Sequence, residues 1–197
     1  MRKITLTVLL LSALSFFAQA QEKTFSISGK IELDKGNLLV LTQRPGKIDT
    51  LAKTAIANRQ FSISGTTEEA VVAQLVIEGY AGGFVMILEP GVEYTANLTQ
   101  NGNGDIRGGK LQTAYNEYQK IVVNANAESR ALNKKASEAA AQKHFKTSKE
   151  LQTKANKVQE AAFAKMNNIV RKNADNVLAA YLQTAGSERI MELEPLK

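Results

Sequence analysis

Between Thr24 and Leu98 apolar and polar side chains alternate, and from Leu111 to about Lys172 apolar ones recur every three or four residues without a proline or a glycine. Alternation sends successive side chains to opposite faces of a strand, whereas recurrence at three to four lines one face of a helix. This change of period constrains the fold more than any other feature. The chain is expected to be α+β, with an N-terminal antiparallel β-sandwich or open barrel, a long helical hairpin and a short C-terminal helix.

In the first part, Phe25, Ile27, Gly29, Ile31 and Leu33 fall on one side and Ser26, Ser28, Lys30 and Glu32 on the other. The pentapeptide Phe-Ser-Ile-Ser-Gly occurs at Phe25–Gly29 and again at Phe61–Gly65. One matching pair is too few for a stacked-repeat protein, which needs about three copies, so the two segments are read as similar strands. Further strands are expected near Leu38–Leu41, Ile48–Ile56, Val71–Ile77, Phe84–Leu88 and Val92–Leu98. Val71–Ile77 and Phe84–Leu88 are apolar on both faces and are expected at the centre of the sheet. Pro90-Gly91 suits a tight turn between the last two strands, because proline presets φ and glycine accepts a positive φ.

After the polar stretch Asn101–Asp105, Leu111, Tyr115, Tyr118, Val122 and Ala125 set the helical rhythm. One straight helix of roughly 60 residues would reach about 90 Å at 1.5 Å per residue, so a hairpin is the economical arrangement. Its turn is expected around Gln142–Ser148, where lysines crowd and the apolar pattern weakens. The returning arm would bury Leu151, Ala155, Val158, Ala162, Met166 and Ile169. A third helix would be capped by side-chain oxygens near Asn173–Asp175 and ended by Gly186.

The chain starts with Arg2 and Lys3, an apolar run from Ile4 to Ala18 and small residues at Ala18 and Ala20. That order matches a secretory leader cleaved after Ala20. A retained anchor is disfavoured because the run is about 15 residues and a membrane span needs roughly 20. Residues 1–20 are therefore assigned to the signal peptide, 21–109 to the β-domain, 110–184 to the helical hairpin with its short helix, and 185–197 to a tail. No later stretch is apolar enough to span a membrane, and the expected location is the periplasm or another exported compartment.

There is no cysteine, so neither lipoprotein acylation nor disulfide stapling nor thiol exchange is open to this sequence. The formal charge of +6 divides unevenly, with −2 over residues 21–109, +7 over 110–184, −1 in the tail and the rest in the leader. The basic character belongs to the helical segment. An exported chain is a poor candidate for nucleic acid, and Tyr115, Tyr118, Phe145 and Phe163 mostly follow the apolar rhythm, which suits packing better than base stacking. The basic helices are read as solvated faces, with a polyanionic envelope surface as the alternative.

No constellation of residues supplies catalysis. The single imidazole, His144, lies among lysines with no carboxylate close in sequence to orient it. Asn101, Asn103 and Asp105 alternate as calcium-loop oxygens do, but Ile106 stands where the sharp turn wants glycine and Gln112 where a bidentate glutamate should close the cage. Gly79, Gly82 and Gly83 flank Tyr80 without the spacing of a phosphate loop. Glu68-Glu69 have no partner suited to acid–base work. No catalytic, cofactor-binding or metal-binding residue, and no cofactor, is assigned.

Several segments together resemble a known family: Phe25-x-Ile-x-Gly29, Ile48-Asp49-Thr50, Gln60–Gly65, Phe84–Gly91 and Ile106–Tyr115. They are similar to domain of unknown function 4369, common in envelope proteins of the Bacteroidota. The resemblance covers about residues 24–118, and the helices with Asn176–Leu182 are similar to what usually follows that domain. In many relatives it precedes a thioredoxin-like domain with a Cys-x-x-Cys motif, and no such motif occurs here. The resemblance transfers no catalytic residue. The expectation is an exported, non-enzymatic binding or interaction protein whose partner would be an envelope protein or a thioredoxin-like protein. The alternative is an accessory part of a thiol-disulfide oxidoreductase system whose catalytic domain is absent from these residues.

Overall fold

The computed structural model describes residues 23–44, 47–100, 102, 104–185 and 194–195, so the expected leader, Asn101, Asn103, Gly186 and most of the tail lie outside the described residues. The strands are β1 (Thr24–Ile31), β2 (Lys35–Arg44), β3 (Lys47–Ala57), β4 (Gln60–Thr66), β5 (Val71–Ile77), β6 (Tyr80–Ala81), β7 (Phe84–Leu88), β8 (Glu93–Leu98), β9 (Gly104–Arg107) and β10 (Glu194–Pro195). The helices are α1 (Lys110–Ala141), α2 (Phe145–Lys172) and α3 (Val177–Ala185). The chain divides into a β-unit that runs through Thr113 and a helical unit, Ala114–Thr184.

Eight strands form one sheet in the order β7-β5-β2-β3-β4-β1-β8-β9, and the short β6 and β10 pair separately. The two copies of the repeated pentapeptide are each other's partners. They run antiparallel with Phe25 opposite Gly65, Ile27 opposite Ile63 and Gly29 opposite Phe61. Each phenylalanine thus meets the glycine of the other copy. A Cβ at Gly65 would lie 2.7 Å from Cζ of Phe25, so the bare backbone there makes room for the ring.

One pairing departs from the antiparallel expectation: β1 and β8 run parallel, with Ser26 opposite Glu93 and Ile31 opposite Leu98. Parallel neighbours require a long crossover, supplied here by the intervening strands. The close fit of this pair shows at Gly29, where a Cβ would fall on the carbonyl oxygen of Ala96.

Alternate residues from every long strand, among them Phe25, Ile27, Leu38, Ile56, Ile63, Leu75, Met86, Tyr94 and Ile106, point into a single apolar cluster. Each such side chain contributes about 1.5–3 kcal/mol when fully buried. The terminal strands β7 and β9 approach one another across the remaining gap, where a Cβ on Gly104 would lie 2.8 Å from Cδ1 of Phe84. The sheet is therefore nearly closed on itself. A bulge opposite Val40/Leu41 bends the long β2–β3 hairpin, as such bulges do. The two-residue loop joining β3 to β4 holds Asn58 at φ 52° and Arg59 at φ 62°, the pair of positive values that a type I′ hairpin requires.

Two expectations about the sheet need correcting. Strand β5 is internal, but β7 lies at the end of the strand order, not at the centre. Apolar residues on both faces report burial on both faces, which an end strand also achieves when its open edge is covered. Strand β9 was not among the expected strands, and it begins within the polar stretch that precedes the helices. It carries a single buried apolar residue, Ile106, too little to show a period.

In the helical unit, α1 and α2 are joined by a turn at Gln142–His144, shorter than expected because Ser148 is already buried inside α2. Lys143, at φ 62°, occupies the left-handed position that ends α1. Its N–H donates to Ala140 O at 2.9 Å and that of His144 to Ala139 O at 2.8 Å, the paired bonds of a Schellman ending. Buried residues on α2 recur every seven positions, at Ser148, Ala155, Ala162 and Ile169, and those on α1 include Tyr118, Ala125, Ser129 and Ala136. Small residues along the seam let the helix axes approach closely. Gln159 Nε2 accordingly reaches the backbone oxygen of Ala125 at 3.3 Å and Asn126 Oδ1 at 3.4 Å. The cap of α3 is Asn176, whose Oδ1 accepts the Leu178 N–H at 3.0 Å, one residue beyond the expected Asn173–Asp175. Asn173 instead closes α2, donating from Nδ2 to Ile169 O at 2.8 Å.

Candidate functional site

A hydrogen-bonded group of buried and half-buried polar side chains lies where the sheet passes into α1. Burial of Gln112, 1% exposed, would be costly for an unpartnered amide. Its Oε1 accepts the Ile87 N–H at 2.8 Å, which supplies a partner along the open edge of β7. Glu89, immediately after β7, accepts the Leu111 N–H at 3.0 Å. A carboxylate there satisfies a free donor of the first turn of α1 and complements the positive end of the helix dipole. The Glu89 N–H in turn donates to Tyr94 Oη at 2.7 Å. Burial pushes the Tyr94 hydroxyl up to about 12, so it stays protonated at physiological pH.

These groups tie the β7–β8 turn to the helix start. That turn, Pro90-Gly91, has Gly91 at φ 72°, as the residue pair implied. Among the described residues no buried side-chain nitrogen or oxygen lacks a partner. Glu89, Tyr94 and Gln112 were not legible as a group in the sequence. Gln112 had been considered only for a calcium position it could not fill, and nothing local marks a glutamine as buried.

The other residues weighed from the sequence are scattered. His144 precedes α2, is exposed and makes no side-chain cap. Asp105 lies on β9 and pairs with Arg107, at 2.7 Å between Oδ2 and a terminal guanidinium nitrogen. Its partners in the suspected calcium pattern, Asn101 and Asn103, lie outside the described residues. Among the described residues no three acidic, histidine or cysteine side chains gather into a metal site. Gly79 and Gly82 take φ values of 84° and 83° in the loops flanking β6. Glu68 pairs with Lys23, and the Glu69 carbonyl accepts from Thr67 Oγ1 at 2.7 Å.

The four aromatics of α1 and α2 separate into two classes, so the expectation that most of them follow the apolar rhythm holds for the tyrosines and not for the phenylalanines. Tyr115 and Tyr118 are buried, and the Tyr115 ring meets Tyr181 edge-on with centroids 6.0 Å apart. Phe145 and Phe163 are 68% and 62% exposed. Among the described residues no helix is long and apolar enough to cross a membrane.

No curated protein matches the chain. Residues 25–115 match the family model described as Domain of unknown function (DUF4369). The match runs from the first buried phenylalanine of β1 to the second turn of α1, and so takes in both pentapeptides and the Glu89–Tyr94–Gln112 group. Over its β-unit and the start of α1, residues 25–115, the chain carries a domain that matches the DUF4369 family.

Proposed function

We propose that the chain is an exported, non-catalytic binding or interaction protein of the cell envelope. The observation that carries this reading is the contrast between the interior of the β-unit and the outer surface of the helices. The buried Tyr94 and Gln112 and the half-buried Glu89 are engaged with the protein's own backbone. The helical unit, by contrast, displays exposed aromatics and most of the chain's excess positive charge. Such a surface suits association. The leader-like residues 1–20 support export.

Two measurements test this. Osmotic-shock release followed by mass determination should recover a chain beginning at Gln21, and retention of residues 1–20 in the cytosol would refute export. A panel of ester, phosphate, glycoside and disulfide substrates offered to residues 21–197 should show no turnover, and turnover of any of them would refute the non-catalytic reading. Acceleration of disulfide reduction by an added thioredoxin-like protein would favour the accessory role in a thiol-disulfide system instead.

A further inference from the structure

The positive charge of the helical segment is not spread along the hairpin. Residues 131–157, which span the turn, hold Lys134, Lys135, Lys143, Lys146, Lys149, Lys154 and Lys157 against only Glu138 and Glu150. That is a net +5, while the remainder of residues 110–184 carries +2. All of these lysines are exposed. The ion pairs formed among the described residues lie in the β-unit, so none neutralises a lysine of the tip. Lys146, Lys149, Lys154 and Lys157, with Glu150 and Thr153, border one shallow concavity along α2.

Two further features single out the tip. Phe145, the first residue of α2, is exposed between Lys143 and Lys146. Lys143 itself takes the left-handed conformation, φ 62°, at a position where glycine would be favoured. A lysine in that place adds a charge to the hairpin turn at the expense of backbone strain.

We infer that the hairpin tip is a docking surface for an anionic lipid bilayer, with Phe145 entering the interface and the surrounding lysines reaching acidic headgroups. Several lysines beside an exposed aromatic provide the two contributions that interfacial binding needs, electrostatic attraction and a buried apolar group. Lysine stems lie along the apolar boundary while their ammonium groups stay among the headgroups. A soluble anion would reward the lysines but not the exposed phenylalanine. The inference deepens the interaction reading above by naming the partner, and it relies on export only for which bilayer the tip meets.

The test is sedimentation of residues 21–197 with vesicles. This chain retains every described residue and lacks the apolar leader, which would itself insert. It should bind vesicles of phosphatidylglycerol and phosphatidylethanolamine at about 3:7, bind phosphatidylcholine vesicles far more weakly, and detach as ionic strength rises from about 0.05 to about 0.5 M. Replacing Lys143, Lys146 and Lys149 together by Gln should weaken binding about 100-fold, and Phe145→Ser about tenfold. The distal triple variant Lys165→Gln, Arg171→Gln, Lys172→Gln should bind as the parent does. Lys143→Gly should raise the thermal midpoint while weakening binding, a divergence that a purely structural residue would not produce.

Equal binding to neutral vesicles, or no binding to either kind, overturns the inference. So does heparin binding that matches the anionic vesicles and ignores Phe145→Ser, which would assign the tip to soluble polyanions. Each of these failures leaves the tests of export and of turnover untouched.

Discussion

The two units of this protein reach a packed interior by opposite means. In the β-unit, bulky side chains converge on one cluster, and glycines Gly65 and Gly29 stand where a ring or another strand must approach the backbone. In the helical unit the buried positions are mainly alanine and serine, at Ala125, Ser129, Ala136, Ser148, Ala155 and Ala162. The difference follows from what separates the layers. Facing portions of a sheet lie about 10 Å apart and must be filled by large side chains, whereas two helices with small residues at the seam come together until little space remains. The β-unit should therefore be damaged by adding atoms at its glycines, and the hairpin by adding atoms at its alanines, while neutral neighbours on the same elements tolerate change.

The largest effect is expected from Gly29→Ala. The new Cβ would fall on the Ala96 carbonyl oxygen, so β1 and β8 must separate, at a cost of about 3 kcal/mol or more. Urea unfolding checks this, with the exposed neighbour Ser28→Ala expected to change stability by less than about 0.5 kcal/mol. Next comes Ala155→Leu, which overpacks the seam and should cost about 1–3 kcal/mol. The loss should appear in the helical signal by circular dichroism, whereas Ala161→Leu, on an exposed position of the same helix, should leave that signal unchanged. Equal damage from Ala155→Leu and Ala161→Leu would break the comparison.

Gln112→Leu fills a similar volume but leaves the buried Ile87 N–H without its acceptor, a loss of about 1–3 kcal/mol. Hydrogen exchange should show the Ile87 amide losing protection before the rest of β7. The smallest effect is expected from Tyr94→Phe, which removes the acceptor of the Glu89 N–H and should cost about 1 kcal/mol at neutral pH.

The pH dependence of Tyr94→Phe sharpens that last case. The hydroxyl is raised from 10.0 to about 12 in the folded chain, so the folded state keeps a proton that the unfolded state gives up. Stability from this group is fully present below pH 10 and is lost as pH rises through the interval to about 12. The parent should lose stability more steeply across that interval than the phenylalanine variant does. Parallel pH profiles would show that Tyr94 is not buried as described.

Much of the fold was legible because period is a local property. The alternation at Phe25–Leu33 and the recurrence at Leu151, Ala155, Val158 and Ala162 follow from the geometry of a single strand or helix. Residues 155, 162 and 169 are buried as that recurrence implied. The repeated pentapeptide was visible, but its meaning was not. Nothing in either copy states that they pair with each other, since that depends on the intervening chain, residues 30–60, bringing them together. The end position of β7 was misread for the same reason, and the Glu89–Tyr94–Gln112 group was missed because each member acquires its role from a backbone atom outside its own turn of chain. The tip lysines were visible as a basic stretch. The exposure of Phe145 beside them was not, because a phenylalanine near an apolar rhythm reads as core.

By itself, then, the sequence determined the long elements, their order, the absence of cysteine chemistry and the leader-like start, all of which rest on residue type and short-range spacing. The tertiary structure alone decided that β1 lies parallel to β8, that the sheet nearly closes between β7 and β9, and that α1 begins against the edge of β7 through Gln112. Those outcomes depend on volume and hydrogen-bond matching between residues far apart in the chain. Many sequences with the same periods could satisfy them in different ways.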